Sequence, residues 1–150
     1  MMKKSIVSPF DEYCKCGRLC VCAILHDKSF IYSVGYNNYV PHVNILRKRL
    51  RCPSTHAEIA AIRRLIDKRK DKTRKRIRVD LTVLRKTQQN EYALSKPCLH
   101  CIQLMRSTFI QQFINIHNVT YFDGSSFRTE PFNDLTSEYV SSGWNHYYDN

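Results

Sequence analysis

The stretch PSTHAEIAAI, residues 53–62, carries a helix signal together with two reactive side chains. Thr55 and Glu58 fit a capping box, in which the threonine caps the first turn and the glutamate bonds back to the backbone. Apolar residues then recur at helical spacing, which predicts an amphipathic helix from about Thr55 to Lys68. His56 lies two residues before Glu58, so the start of this helix offers an imidazole and a carboxylate.

A second helix start lies in the stretch SKPCLHC, residues 95–101. Pro97 favours the first turn of a helix, because no backbone N–H is needed there, and apolar spacing extends the predicted helix to about Phe109. Cys98 and Cys101 are three residues apart. Such positions share one helix face, so the two sulfurs can bind one metal ion.

The elements around these helices predict an α/β fold. Residues 19–36 form two β-rich runs around the polar sequence HDKS, which indicates a β-hairpin. Residues 77–83 alternate between apolar and polar, and NVTYF, residues 118–122, is a further strand ended by DGSS. We therefore expect a mixed sheet, with an antiparallel hairpin and a parallel, right-handed strand–helix–strand crossover.

Packing of both helices on one sheet face would bring the two helix starts side by side. His56, Cys98 and Cys101 would then supply three ligands to one zinc ion and leave the fourth tetrahedral position open, which is the layout of a catalytic site. Glu58 beside that position could take a proton from water and pass it on. A purely structural zinc site needs no carboxylate there.

The pattern H-x-E followed by P-C-x-x-C resembles the signature of the zinc-dependent cytidine deaminase superfamily. The matching residues are His56-Ala57-Glu58 and Pro97-Cys98-Leu99-His100-Cys101, and the order of elements is similar from about Cys16 to Asp123. The resemblance implies a three-layer α/β fold with a mixed central sheet of about five strands and helices on both faces.

The resemblance also implies roles for the residues of the two motifs. One catalytic Zn²⁺ would be bound by His56, Cys98 and Cys101, and Glu58 would be the proton shuttle in the hydrolytic removal of a ring amine as ammonia.

Three further residues would bind the substrate by the same resemblance. The backbone around the two motifs would line the base pocket, which points to Ala57 and Pro97. Asn37, in GYNNY, resembles the family asparagine that holds the sugar. An asparagine in a turn also needs no substrate to explain it.

Two substrate classes stay open. A cytosine nucleotide such as deoxycytidylate is favoured because a histidine first ligand is similar to that of deoxycytidylate deaminases. The segment GYNNYVP resembles their G-Y-N-G-x-P but lacks its second glycine, which leaves the phosphate to nearby cations. Those cations are Arg47, Lys48, Arg49 and Arg51.

The alternative substrate is tRNA, other RNA or single-stranded DNA, with cytidine or adenosine as the target. The net charge of +11 and the basic segment 68–78 favour it. Aromatic residues of the tail could stack on bases, and these are Trp144, Tyr147 and Tyr148.

Two other metal arrangements compete with the open site. Cys52 could join the three ligands in a closed structural cage, which would make the chain a zinc-stapled nucleic-acid-binding module and not an enzyme. The cysteines of a C-x-C-x3-C-x-C pattern could bind a second metal, although two of them lie in a predicted strand, where buried thiols are common. This pattern consists of Cys14, Cys16, Cys20 and Cys22.

The chain as a whole has the size and composition of one domain, with 150 residues, 43% hydrophobic and 25% charged. Residues 1–15 and 130–150 are expected to be peripheral. Seven cysteines without a signal-like start favour a reducing compartment, so we expect a cytoplasmic protein, with the nucleus open. No apolar run reaches the length of a membrane span, and analogy predicts a homo-oligomer.

Overall fold

A computed structural model describes residues 8–13, 20–39, 54–69 and 75–137. Its main sheet has five strands in the order β2-β1-β5-β6-β7, and β3 and β4 form a separate two-stranded sheet. In chain order the strands are β1 (Cys20–His26), β2 (Ile31–Tyr36), β3 (Asn38–Tyr39), β4 (Ser54–Thr55), β5 (Ile77–Lys86), β6 (Ile114–Phe122) and β7 (Phe127–Pro131). The α-helices are α1 (Ala57–Arg69), α2 (Leu99–Met105) and α3 (Thr108–Gln111), and 3-10 helices span Asp11–Tyr13 and Phe132–Asp134.

The sheet is mixed, as the order of elements predicts. Strands β1 and β2 form an antiparallel hairpin, β1 is also antiparallel to β5, and β5 and β6 are parallel. Strand β7 pairs antiparallel with β6 after the turn at residues 123–126. The sequence does not predict β7, because all five of its residues are exposed or half-buried and show no apolar alternation.

The larger apolar cluster lies between the sheet and helices α1 and α2. Alternate residues of β1 and β5 face these helices, among them Ala23, Leu25 and Val83. Gly35 on β2 lets α1 lie directly against the strand, since a Cβ there would be 2.3 Å from the Ala61 nitrogen. The helix is fixed further by the Ser33 hydroxyl, which donates to the Ala61 carbonyl at 2.8 Å.

The opposite face of the sheet carries a smaller cluster built on Cys22, Ile24 and Leu84. Aromatic residues from the 3-10 helix segment at residues 10–13 pack against it. The α/β fold class is therefore confirmed. Within the described ranges, α1 and α2 both lie on one face, and a 3-10 helix lies on the other. Among the described helices, none is both long and apolar enough to span a membrane.

The predicted helix from Pro97 to Phe109 is wrong at both ends. Helix α2 begins at Leu99 and ends at Met105, since the extended backbone of Ser107 starts the separate helix α3. Phe109 therefore leaves the apolar face of α2, and 60% of its surface is exposed.

Candidate metal and catalytic site

The start of α1 is set by the small sheet that precedes it. Strand β4 pairs with β3 through Thr55 and Asn38, and the chain then enters the helix. The carbonyl of His56 accepts the first helical hydrogen bond, from the Ala60 N–H at 3.0 Å. His56 thus occupies the N-cap position, one residue after the Thr55 that the sequence predicts there.

The start of α2 lies at the carboxyl ends of the parallel strands β5 and β6. Cys98 is the N-cap residue with extended backbone angles, and its carbonyl accepts the Ile102 N–H at 3.1 Å. The sequence predicts Pro97 in the first turn of this helix. In the structure, Pro97 lies before the helix. With Cys98 as the cap and Cys101 in the first turn, both cysteines still meet at one end of the helix.

Ser95 connects the ends of these two strands and fixes the approach to Pro97. Its hydroxyl donates to the Val83 carbonyl at 2.7 Å and accepts the Phe122 N–H at 2.9 Å, while its own N–H bonds to the Phe122 carbonyl at 3.0 Å. The sequence analysis misses this residue. A serine between a buried strand and the Pro-Cys pair is the only signal that could have found it.

The three predicted ligands come together between the helix starts. The Nδ1 atom of His56 lies 3.0 Å from the sulfur of Cys101 and 3.5 Å from that of Cys98, and all three ligand atoms lie within 4.8 Å of one another. Tetrahedral zinc holds such nitrogen and sulfur atoms about 3.6 Å apart. The geometry and the donor set therefore fit one zinc ion, with Nδ1 as the imidazole ligand.

The pKa values of the two cysteine thiols are shifted in opposite directions. A hydrogen bond from the Cys101 thiol lowers the pKa of Cys98 to about 4, and the same hydrogen bond, with burial, raises the pKa of Cys101 well above its usual value. Cys98 is therefore the more readily ionised of the two thiols. A dication bound between them would displace the second proton, because thiolates are the ligands of zinc.

Glu58 is the buried carboxyl of this cluster, with 5% of its surface exposed. Burial raises the pKa of Glu58, although hydrogen bonding with Cys101 and the charge of His56 act in the opposite direction. The contact with Cys101 places the carboxyl directly beside the ligands. A carboxyl that is costly to ionise and adjacent to a metal site is suited to receive and return a proton.

The predicted substrate-binding residues differ in what they can offer. Ala57 and Pro97 are buried, so only their backbone and the wall they form are available to a base. Asn37 is exposed, and its Oδ1 accepts the Val21 N–H at 2.9 Å. No acceptor within the described residues bonds its amide nitrogen, which leaves that donor for a substrate.

Among the described residues, none of the competing cysteines belongs to this ligand cluster. Cys22 lies in the cluster on the opposite face of the sheet, as expected of a buried thiol. Cys14, Cys16 and Cys52 lie outside the described residues, as do the cations at 47–51 and the tail aromatics. In the described part of the chain, His56, Cys98 and Cys101 form the one group that could hold a metal ion.

The family model for the cytidine and deoxycytidylate deaminase zinc-binding region matches residues 1–116 of the chain. No curated protein matches the chain. Among solved structures, the chain resembles cytidine deaminase from Burkholderia pseudomallei, with a TM-score of 0.52 and 15% sequence identity over 90% of this chain and 87% of that chain. At this identity the likeness concerns the fold.

Proposed function

Because the chain belongs to the family of the cytidine and deoxycytidylate deaminase zinc-binding region, we propose that it is a hydrolytic deaminase of a cytosine nucleotide such as deoxycytidylate. The observation that carries the proposal is the buried Glu58 beside the ligands His56, Cys98 and Cys101. A structural cage would gain nothing from a carboxyl that is costly to bury.

The reaction adds water to the base and removes ammonia. The water oxygen bonds to the amine-bearing ring carbon, the C–N bond breaks, and the uracil form and ammonia result. Zinc, when bound by these ligands, would act as a Lewis acid and lower the pKa of a water molecule, so that the water can lose a proton near neutral pH. Glu58 accepts the proton that this water loses and delivers it to the leaving nitrogen, and its buried position keeps the transfer away from bulk solvent.

The base and the sugar would meet opposite sides of the site. The buried backbone at Ala57 and Pro97 forms the wall against which the base lies. The amide nitrogen of Asn37 donates to a sugar hydroxyl, since its carbonyl oxygen already accepts the Val21 N–H. This division gives each of the three residues a role that its exposure permits.

A polymer substrate is the second candidate, and the net charge of +11 favours it. Exposed cations occur near the end of α1 and the start of β5, at Lys68, Arg76 and Arg78. Lys68 lies about 17 Å along the helix from its start at the metal site. These cations could bind a part of a nucleic-acid chain that lies far from the reacting base. They do not surround that base, and we therefore favour the free nucleotide as substrate.

The test measures bound zinc and then ammonia release from deoxycytidylate, cytidylate, cytidine, single-stranded DNA and tRNA. We expect about one zinc ion per chain and the fastest release from deoxycytidylate, lowered about 10²- to 10⁴-fold in Glu58→Gln. Glu91→Gln, an exposed glutamate away from the site, is the matched control. Zinc without release from any substrate would contradict the enzyme, and release that survives Glu58→Gln would contradict the mechanism.

Two variations separate the remaining alternatives. Cys52→Ser should keep zinc and activity, whereas a closed four-ligand cage would lose its metal. Activity on polymers that falls steeply with salt would favour the second candidate. A cytoplasmic location, a single domain over residues 1–150 and a homo-oligomer stay predictions.

A further inference from the structure

Arg85 lies near the end of β5, on the face of the sheet that carries the metal site. Its neighbours on this face of β5 are Val83 and Leu81, which belong to the cluster beneath α1 and α2. On one side β5 pairs with β1, where Val21 is opposite Arg85; on the other side, the Ala93 N–H bonds to the Arg85 carbonyl at 2.9 Å. Val21 and Ala93 are therefore the residues beside Arg85 on its two sides.

Arg85 has no partner for part of its guanidinium. Its Nε atom is buried and makes no hydrogen bond within the described residues. The next residue shows the contrast: Lys86 points to the other face and is paired with Asp11 at 2.6 Å and with the Asn90 Oδ1 at 3.3 Å. A buried donor without an acceptor is unfavourable, so the cation of Lys86 is paired while the Nε of Arg85 is not.

The strand register places Arg85 one step outward from the start of α1. Gly35, Ala23 and Val83 lie opposite one another across β2, β1 and β5, and Gly35 contacts the first turns of α1. Two residues further along the strands, in the direction of the carboxyl end of β5, the neighbouring residues across the sheet are Asn37, Val21 and Arg85. Alternate residues of a strand are about 7 Å apart, so Asn37 and Arg85 both lie one step beyond the row that contacts the start of α1, at the same end of the sheet.

We infer that Arg85 binds the phosphate of a nucleotide substrate, next to the sugar that Asn37 holds; the inference rests on the proposed function. A guanidinium provides a fork of N–H donors that matches phosphate oxygens, and in Arg85 the Nε donor has no acceptor among the described residues. Ligands of sheets with parallel strands bind outside the carboxyl ends of those strands, where Arg85 lies. The residue thus selects nucleotides over nucleosides.

The test compares equilibrium binding of deoxyuridylate and deoxyuridine, the products, by calorimetry on the zinc-loaded protein. Products are not consumed, so the result does not depend on turnover. In Arg85→Gln, we expect the Kd for deoxyuridylate to rise about 10- to 100-fold, with the Kd for deoxyuridine and the zinc content unchanged. Arg85→Lys should lose less, because the charge remains while the fork is lost.

Arg78→Gln is the matched control, since it removes the same charge from the same strand about 23 Å away. A wild-type protein that binds deoxyuridylate no tighter than deoxyuridine would overturn the inference. So would an Arg85→Gln variant that weakens both products equally or loses zinc. Ammonia release from deoxycytidylate, measured in parallel, reports separately on the proposed function: binding selectivity without release would contradict the deaminase and leave Arg85 as a phosphate ligand.

Discussion

Two cysteines in this chain are equally buried but chemically different. Cys101 is 1% exposed and lies 3.0 Å from the imidazole of His56. Cys22 is 0% exposed and packs among apolar residues on the other side of the sheet. Burial alone therefore does not identify a ligand; convergence with a second and third donor does.

This contrast gives a paired prediction for metal content. Cys101→Ala should reduce bound zinc to well below one ion per chain, because two ligands hold the metal far more weakly than three. Cys22→Ala should keep its zinc and lose about 1 kcal/mol of stability, as expected when a small buried side chain is shortened. Elemental analysis of the purified variants checks both, and equal zinc loss in the two would contradict the assigned site.

Ser95 shows what one hydroxyl does where two parallel strands separate. Ser95→Ala leaves the Val83 carbonyl and the Phe122 N–H without the hydroxyl that joins them. We expect a loss of about 2–4 kcal/mol in the free energy of unfolding, measured by urea denaturation. Ser125→Ala, in the exposed turn between β6 and β7, should unfold like the wild-type protein. Identical midpoints for Ser95→Ala and Ser125→Ala would show that the bridge contributes nothing.

One metal ligand lies at the start of α1 and the other two lie at the start of α2, so the separation of the two helix starts decides whether zinc can bind. The contact of α1 with β2 depends on Gly35, where a Cβ would lie 2.3 Å from the Ala61 nitrogen and 2.4 Å from the Ala57 carbonyl oxygen. These are backbone atoms of the helix and cannot rotate away. A larger residue at this position must move the helix.

Gly35→Ala should therefore lower both stability and zinc affinity. We expect a loss of about 1–3 kcal/mol from overpacking and a weaker zinc complex, since His56 moves with the helix. Gly124→Ala is the control: its φ of +104° makes alanine strained, yet no atom lies within 4 Å of the added Cβ. It should cost stability without changing zinc affinity, as measured by competition with a chelator. Unchanged zinc affinity in Gly35→Ala would rule out this coupling.

The elements predicted correctly from sequence have strong local patterns. The helix α1 and strand β5 show their period over several residues, and the hairpin shows two β-rich runs. Strand β6 is predicted only over its second half, residues 118–122, since it begins at Ile114. The two motifs point to the three ligands that meet in the structure. Strand β7 escapes prediction because its exposed residues carry no apolar alternation. The end of α2 depends on the extended backbone of Ser107. The unpaired Nε of Arg85 depends on neighbours distant in sequence, which no local pattern encodes.

An ion pair adds to the packing that joins residues 8–13 to the far side of the sheet. Lys86 is nearly buried, and its ammonium lies 2.6 Å from the Asp11 carboxylate and 5.1 Å from the centre of the Tyr92 ring. The Tyr92 hydroxyl also donates to Asp11. Three separate parts of the chain, residues 8–13, the end of β5 and the segment that leads to Pro97, therefore meet at one carboxylate.

Asp11→Asn should destabilise the protein by about 1–2 kcal/mol, because Lys86 would keep a buried charge without its counterion. The value is below that of a fully buried pair, since the Asp11 side chain is 38% exposed. Asp134→Asn, at an exposed position, should have no effect. Thermal unfolding at pH 7 checks the pair of variants, and matching transitions would contradict a stabilising role.

The same carboxylate gives a pH dependence with a definite sign. Hydrogen bonds from Lys86 and Tyr92 lower the pKa of Asp11 below its usual 3.8. The pair therefore stabilises the fold fully above the unfolded pKa, and this stabilisation is lost as the pH falls through the folded pKa. The difference in unfolding free energy between wild type and Asp11→Asn should be constant from pH 7 to about 5 and shrink below 4. A difference that grows on acidification would contradict this assignment.

The five-stranded sheet separates the metal site from the apolar cluster of Cys22, Ile24 and Leu84. Substitutions on the two sides are thus expected to affect different properties of the protein. Substitutions beneath the ion pair of Asp11 are expected to change thermal stability, while substitutions around His56 and Glu58 are expected to change metal binding and the proposed reaction. A directed-evolution library confined to the far side could raise heat tolerance first and leave the active site to be altered in a second round.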